Sequence, residues 1–253
     1  MDNAQSFTAA AYAPRAADYV ASAVHASGAD LDQIDALLAG QGIATVLDLG
    51  CGGGHVSYRA APHVARVVAC DVTQAMLDEV ANTAAGRGLA NIETRRAAAE
   101  NLPFAAGSYD AVLCRFSAHH WQDFEAGLRE ARRVLKPGGL AVFVDTVCPG
   151  GRLLDTHLQA MELLRDASHV RNYSVAEWVG ALSRAGFTVQ DTTLRRLRME
   201  FCSWTARTRT PPESAEAILR LQCAAPPEMR EYFAVSDDGS FDIEAATFVL
   251  NAG

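Results

Sequence analysis

The chain has 253 residues, with 22 Lys and Arg against 30 Asp and Glu, a net charge of −8 and 49% hydrophobic residues. This composition is typical of one large or two small globular domains and excludes a disordered or fibrous chain. The acidic balance argues against a nucleic-acid partner, because such binding needs a basic surface. Lys136 is the only lysine. Enzyme classes that need a lysine for a Schiff base or a P-loop lysine for phosphate binding are therefore almost excluded.

The N-terminus lacks a basic stretch followed by an apolar core, and no window of about 18 apolar residues occurs in the chain. We therefore expect a soluble, cytoplasmic protein without stable membrane insertion. The histidines at 119 and 120 have no second histidine four residues away, as the H-E-x-x-H type of metal site requires, and the cysteines form no C-x-x-C pair. We accordingly expect no metal site.

Short apolar runs and helical stretches alternate along the chain. Ahead of them, Ala13–Leu38 is predicted to be helical. The apolar runs are continuous, which is typical of strands covered on both faces of a parallel sheet. These predicted strands are Ala44–Leu49, Val67–Cys70, Ala111–Cys114 and Leu140–Val144.

Helical periodicity separates these strands. The predicted helices are His55–Ala61, Thr73–Arg87 and Asp123–Leu135. Asp123 is placed to cap the last helix, and Pro137-Gly138-Gly139 is placed to end it. Strands joined by helices form right-handed crossovers, so the region from Gly42 to Thr146 predicts a doubly wound α/β sheet.

The remainder of the chain predicts two more helices and two late strands. The helices are Leu153–Asp166 and Val175–Ala185, the second ending at Gly186. Thr192–Glu200 and Ser240–Leu250 alternate charged and apolar residues, which predicts strands exposed on one side or at an edge. We expect a single domain over 1–253, with a helical lid (1–40), a cofactor-binding core (41–147), a helical cap (148–187) and final strands (188–253).

The strongest local pattern is a glycine-rich turn between a strand and a helix, Val46-Leu47-Asp48-Leu49-Gly50-Cys51-Gly52-Gly53-Gly54-His55. Its glycines allow positive φ and a close approach of a ligand to the main chain. The dinucleotide fingerprint G-x-G-x-x-G requires glycine where His55 stands. Because the Asp48 carboxylate repels phosphate, a cationic ligand without phosphate, such as S-adenosyl-L-methionine, fits better. A tight turn without a ligand is the alternative.

A second acidic residue, Asp71, ends the next apolar run, 21 residues after Gly50. A carboxylate at this spacing reaches a ribose diol. A helix cap is the alternative role, since Asp71 precedes Thr73–Met76. Both roles are compatible, because a carboxylate has several acceptor sites.

Five segments, in this order, carry a resemblance to a known family: LDLGCGGG, VVACD, AAAENLPF, SYDAVLCRFSAHHW and ARRVLKPGG. Their order resembles that of class I S-adenosylmethionine-dependent methyltransferases, most of all the ubiquinone and menaquinone biosynthesis C-methyltransferases. The resemblance covers residues 42–144 strongly. It implies a Rossmann-like seven-stranded sheet whose last strand is antiparallel, with Phe241–Leu250 as candidate, an N-terminal helical lid and a helical insertion after strand 5.

The resemblance also implies a set of cofactor contacts. Gly50, Cys51 and Gly52 line the methionine part, Asp71 binds the ribose, and Val72 and Met76 contact the adenine. Asp48 and Arg115 complete the predicted set. The family's third loop usually carries an Asp that accepts from the adenine amino group, where this chain has Ala98. Adenine selectivity is then expected from the backbone of Ala98 and Ala99 or from Glu100.

The segment after the predicted strand Ala111–Cys114, Arg115–Trp121, is expected at the edge of the sheet where open α/β folds bind ligands. Its aromatic residues Phe116 and Trp121 and its two imidazoles suit a mostly apolar acceptor pocket. Methyl transfer needs alignment, and a base only if the acceptor arrives protonated. We predict His120 as that base in preference to His119. A hydrogen bond from either histidine to the loop or the cofactor is the alternative.

Five further side chains are candidate substrate contacts: Tyr12, Tyr19, His25, His169 and Arg171. The segment that carries the first three is predicted to form either a lid over the cofactor or an amphipathic helix packed on the fold. The last two lie in the segment expected to cover the pocket. There Arg171 either binds an acidic substrate or pairs with Glu177.

The expected activity is C- or O-methylation of a small, partly apolar molecule, with N-methylation also open. Two other classes remain. A binding module that has kept the fold but lost turnover is favoured by Ala98, and a nicotinamide-dependent oxidoreductase is disfavoured by His55 and Asp48. No oligomeric state is predicted.

Overall fold

In the computed structural model, which describes residues 3–15 and 27–253, seven strands form one mixed sheet. They are β1 (Thr45–Leu49), β2 (Arg66–Asp71), β3 (Ile92–Arg96), β4 (Tyr109–Arg115), β5 (Leu135–Val147), β6 (Phe187–Met199) and β7 (Phe241–Ala252). Their order across the sheet is β3-β2-β1-β4-β5-β7-β6. Strands β1 to β5 are parallel, whereas β7 runs antiparallel between β5 and β6. The predicted doubly wound sheet with an antiparallel last strand is confirmed.

The described helices are α1 (Asn3–Tyr12), α2 (Ala29–Leu38), α3 (His55–Ala60), α4 (Gln74–Gly86), α5 (Phe124–Val134), α6 (Arg152–Arg165), α7 (Val175–Arg184), α8 (Phe201–Arg207), α9 (Pro212–Ala224) and α10 (Pro227–Tyr232). The Asp123 carboxylate accepts from the backbone N–H of Ala126 at 2.8 Å, as its predicted capping role requires. None of these helices is both long and apolar enough to cross a bilayer.

Two packed layers lie on opposite faces of the sheet, because successive strand residues point to opposite sides. On β1, Leu47 belongs to the cluster that contains Trp178 and Phe248, whereas Val46 belongs to the cluster that contains Ile34 of α2. Both faces of the strand are therefore buried, which explains its continuous apolar sequence.

A third apolar cluster lies beside the sheet and consists mainly of residues from α6, α8, α9 and α10. It includes Met161, Trp204, Ile218 and Phe233, all buried. Phe241 and Ile243 join it from the beginning of β7. Met199, Trp204 and Ile243 of this cluster line the site described below.

Several boundaries differ from the prediction. Residues 16–26 of the predicted helix Ala13–Leu38 lie outside the described residues. Gly28, with φ of +146°, is outside the helical region, and α2 begins only at Ala29. Helix α5 ends at Val134, before the glycines. The β4–β5 pairing then shifts from Tyr109↔Leu135 to Ala111↔Leu140, so Pro137-Gly138-Gly139 forms an irregularity within β5.

Two strands also differ in kind from the prediction. The chain forms β3 at an edge of the sheet, where most of its side chains are exposed, so Ile92–Arg96 has no apolar run to identify it. Strand β7 was expected to be half exposed or at an edge, but it lies inside the sheet with most of its residues buried. Strand β6 occupies that edge.

Candidate cofactor and acceptor site

A cavity of about 750 Å³ opens along the carboxyl ends of the parallel strands. Its wall includes residues that follow β1, β2 and β4, and Thr146 near the end of β5. Gln5, Thr8 and Tyr12 of α1 also line it, and Trp204 and Ile243 contribute from the third apolar cluster. The position is the one at which open α/β sheets bind ligands.

The glycine loop forms one side of this cavity. Gly50 has φ +70°, and a Cβ placed there would lie 1.9 Å from Ser117 Oγ. Gly52 has φ +49°, and a Cβ there would meet nothing within 4 Å. The loop after β1 therefore packs directly on the loop after β4 at Gly50, while Gly52 leaves open space for a ligand.

Asp71 lies in the cavity wall at the end of β2. Its Oδ2 accepts from the backbone N–H of Gly52 at 3.0 Å, and its Oδ1 accepts from that of Thr73 at 2.8 Å. Burial raises the pKa of this carboxyl, although the backbone hydrogen bonds oppose the shift. The carboxylate thus joins the glycine loop to the start of α4.

Asp48 also lines the cavity, but its side chain is deeply buried in β1. Ser57 Oγ donates to its Oδ2 at 2.6 Å. Burial raises the pKa of Asp48 to about 7, well above the ordinary 3.8. The negative charge expected here is therefore present only in part at neutral pH.

Replacing Asp48 with Asn is expected to stabilise the protein, and to do so more at pH 8 than at pH 5. The folded state holds the Asp48 proton more tightly than the unfolded chain, so wild-type stability falls as pH rises from about 4 to about 7. Asn carries no charge and can still accept from Ser57. Thermal unfolding should show a gain of ~2–4 kcal/mol at pH 8.

Asp110 provides a control of opposite sign, because its bonds to Lys136 and Thr45 outweigh burial and lower its pKa to about 2. Asp110→Asn should therefore destabilise the protein at neutral pH. An Asp48→Asn variant whose unfolding temperature differs from wild type equally at both pH values would contradict the assignment of the raised pKa.

The third loop contributes Ala97, Ala99 and Glu100 to the cavity wall. Ala98, predicted to contact the cofactor, is not in that wall, because it is held in a short antiparallel bridge with Asn101. Glu100 accepts from the backbone N–H of Gln122 at 2.8 Å and so also holds the loop after β4. The remaining predicted cofactor residues Gly50, Cys51, Gly52, Val72 and Met76 all line the cavity.

Arg115 lines the cavity at the end of β4 and forms a buried ion pair with Asp30 of α2. Its guanidinium carbon lies 4.6 Å from the centre of the Phe116 ring. Phe116 has φ +51°, an uncommon conformation for a residue with a Cβ. Arg115 therefore fixes the turn that presents the two histidines, and it ties α2 to that turn.

The two histidines have different partners. His119 Nδ1 lies 2.5 Å from Asp145 Oδ1. His120 uses both ring nitrogens, since Nε2 is 2.8 Å from the Tyr12 hydroxyl and Nδ1 is 3.0 Å from the carbonyl oxygen of Ser168. Burial, with the neighbouring His119 charge, lowers the pKa of His120 to about 3. The assignment of His120 as the base stays a prediction. The structure does not favour it, because both ring nitrogens already have partners.

The predicted substrate residues fall into three groups. Tyr12, Phe116, His119 and Trp121 line the cavity. Tyr19 and His25 lie outside the described residues. His169 and Arg171 are absent from the described cavity wall, because His169 Nε2 lies 3.0 Å from Gln159 Oε1 and Arg171 pairs with Asp155 at 2.9 Å and with Glu177 at 3.5 Å.

Several site residues were not predicted from the sequence. Asp145 ends an apolar run as Asp71 does, and that pattern could have identified it. Asp166 accepts from the Tyr12 hydroxyl at 2.9 Å and belongs to a loop without any motif. Glu162, Arg165 and Trp204 reach the cavity only through the packing of α6 and α8. Within the described residues, no group of three or more side chains could hold a metal ion.

The fold is that of a Rossmann-like methyltransferase. The family described as methyltransferase domain matches residues 47–143. The uncharacterized protein YafE of Escherichia coli is 46% identical over 188 residues, 74% of this chain and 91% of its own length. The uncharacterized methyltransferase YcgJ of Bacillus subtilis is 34% identical over 191 residues, 76% of each chain. This chain belongs to the class I S-adenosylmethionine-dependent methyltransferases.

Two further comparisons are consistent with this family. The crystal structure of YcgJ superimposes with a TM-score of 0.84 at 30% identity and covers 88% of this chain and 97% of the other. A ubiquinone/menaquinone biosynthesis C-methyltransferase, UbiE of Desulfotalea psychrophila, is 34% identical over 121 residues, 47% of this chain and 48% of its own length.

Proposed function

We propose that this protein is an active methyltransferase that uses S-adenosyl-L-methionine to methylate a small, partly apolar molecule. The observation that carries the proposal is Asp71 in the cavity wall, next to open space at Gly52. A carboxylate in the cavity wall at the end of β2 suits a ribose diol, and the main chain at Gly52 permits close approach of the methionine part. The residues present therefore fit this cofactor.

Arginines of α6, α8 and β6 also line the cavity, but beside the glycine loop the acidic residues favour a cation over a phosphate. The carboxylates of Asp48, Asp71 and Glu100 line the cavity near the glycine loop. A dinucleotide would place its pyrophosphate among these groups, where like charges repel. A sulfonium and an ammonium group are instead attracted, and their binding favours the charged form of Asp48.

The protein's part in the reaction is alignment and exclusion of water. When bound, S-adenosyl-L-methionine supplies an electrophilic methyl group on a positively charged sulfur. Tyr12 joins α1 to the site through His120 and Asp166, so α1 covers the cavity on that side. Trp204, Met199 and Ile243 add apolar surface to a wall that also contains Arg165 and Arg207, which supports a partly apolar acceptor. The name of UbiE, a quinone C-methyltransferase, supports the same acceptor class.

Isothermal titration calorimetry with S-adenosyl-L-methionine, S-adenosylhomocysteine and NAD tests the proposed cofactor. Both adenosyl compounds should bind, and NAD should not, because His55 replaces the third glycine of the dinucleotide fingerprint. NAD binding without heat from either adenosyl compound would contradict the proposal. Cofactor binding without methylation of any compound in a phenol, quinol and amine library would favour a binding module that lacks turnover.

A further inference from the structure

A buried carboxylate fixes His119 in the cavity wall. Asp145, 2% exposed in its side chain, lies 2.5 Å from His119 Nδ1. Its Oδ2 also accepts from the backbone N–H of His119 at 3.1 Å, and its Oδ1 accepts from that of Thr146 at 2.8 Å. Asp145 thus holds both the ring and the backbone of His119. This arrangement orients the imidazole before any acceptor binds.

The contact with Asp145 decides which nitrogen of His119 can accept a proton. An imidazole that donates from Nδ1 to a carboxylate keeps its lone pair on Nε2 when neutral. His119 lines the cavity, and among the described parts of the chain no side chain or backbone group hydrogen-bonds to its Nε2. His120 differs, because both of its nitrogens are used by Tyr12 and Ser168.

The turn that carries His119 packs on the predicted cofactor loop. Ser117, two residues before it, packs so tightly on Gly50 that no Cβ fits between them. The backbone N–H of His120 donates to the Ser117 carbonyl at 3.0 Å, which closes the turn that carries both histidines. The imidazole of His119 therefore lies in the same cavity as Gly50 and Asp71, on the side of β4 and β5.

We propose that His119, oriented by Asp145, is the base that removes a proton from the methyl acceptor, and that the acceptor carries a weakly acidic hydroxyl such as that of a phenol or an enol. This inference rests on the proposed function. Methyl transfer forms a bond from the oxygen, or from the carbon conjugated with it, to the methyl carbon. The carbon–sulfur bond breaks and its electron pair stays on sulfur, while the hydroxyl proton passes to His119 Nε2.

The groups around His119 set the pH at which it can act. Asp145 contacts it from β5, and Glu162 and Arg165 act on it from α6. His120 and His169 are its imidazole neighbours, and burial holds their pKa values at about 3 and about 4. Burial lowers the pKa of His119, but Asp145 raises it more, so it lies above the ordinary 6.5. The rate of methyl transfer should therefore rise with pH through a value above 6.5 and then level off.

The main test variant is His119→Asn, because an asparagine amide can still donate to Asp145 but cannot take a proton at neutral pH. Single-turnover rates with phenols and enols should fall by roughly 10²–10⁴-fold. Calorimetry should show unchanged S-adenosylhomocysteine binding, and the levelling of the pH profile should disappear. His63→Asn is the matched control, because His63 pairs with Asp35 at 2.8 Å outside the cavity wall. Its rates should equal those of wild type.

A second measurement does not depend on turnover. Nitrogen NMR of the histidine rings should show Nδ1 protonated in neutral His119, with a pKa above 6.5 that falls in Asp145→Asn. Normal single-turnover rates in His119→Asn, a loss confined to His120→Asn, or protonation of Nε2 in neutral His119 would each overturn the inference. Turnover confined to amines would also overturn it. Absence of cofactor binding in the wild-type protein would instead contradict the proposed function, so the two failures are distinguishable.

Discussion

Replacing Asp71 with Ala is expected to weaken binding of S-adenosyl-L-methionine and S-adenosylhomocysteine by about 10-fold to more than 100-fold. The reason is the loss of one or two hydrogen bonds to a charged group, each worth roughly 1.5–3 kcal/mol. The carboxylate also holds the backbone N–H of Gly52 at 3.0 Å, so its removal loosens the loop on which the methionine part is expected to lie. Calorimetry of both ligands measures the change.

Asp78 offers a matched control on the same segment. It is exposed on α4, bonds to Gln74 at 2.8 Å and does not line the cavity. Asp78→Ala should leave the dissociation constants unchanged. Asp71→Asn removes the negative charge but keeps one contact with the loop, because its amide oxygen can still accept one backbone N–H. Wild-type affinity in Asp71→Ala, with an unaltered melting curve, would show that the ribose is bound elsewhere.

Replacing Gly50 with Ala is expected to lower both stability and cofactor affinity. A Cβ at this position would lie 1.9 Å from Ser117 Oγ and 2.6 Å from Ser117 Cβ, and φ of +70° is unfavourable for alanine. Overpacking should cost ~1–3 kcal/mol beyond the ~1–2 kcal/mol of backbone strain. Displacement of Ser117 moves the turn that carries His119, so methylation should fall as well. Urea unfolding and calorimetry measure the two effects.

Two other glycines separate strain from collision. Gly88 has nearly the same φ, +71°, and a Cβ there would meet nothing within 4 Å. Gly88→Ala should therefore lose only the stability that backbone strain costs, and it should keep wild-type cofactor affinity. Gly52→Ala should cost no more stability than Gly88→Ala, yet it should weaken cofactor binding, because its Cβ enters the open space of the cavity. Equal stability of Gly50→Ala and Gly88→Ala would show that Ser117 yields without cost.

Signals within a few residues predicted most of the cofactor side. The glycine loop and Asp71 are identified by spacing, because a strand, a tight turn and a helix follow one another locally. The Asp123 cap was predicted for the same reason. Strand β3 was missed because exposure at the sheet edge removes the apolar run that marks buried strands.

The acceptor side could not be predicted in the same way. The sequence marks His119 and His120 equally, and the choice of His120 used no information about their partners. Asp145 lies 26 residues from His119, and Tyr12 lies 108 residues from His120. Such contacts depend on how helices and strands pack. Arg171 was a predicted substrate contact, but its pairing with Asp155 removes it from the cavity wall.

The sequence by itself determined the fold class, the family and the edge of the sheet at which the cavity opens, because apolar runs, glycine turns and strand-end carboxylates are local patterns. The tertiary structure alone decided which histidine has a carboxylate partner and which buried carboxyl is only partly charged at neutral pH. It also decided which residues line the part of the cavity around the two histidines. The physical reason is that hydrogen-bond partners and desolvation depend on groups that are distant in sequence. For His119 and Asp48 these groups set the pKa, and with it the chemistry available to each.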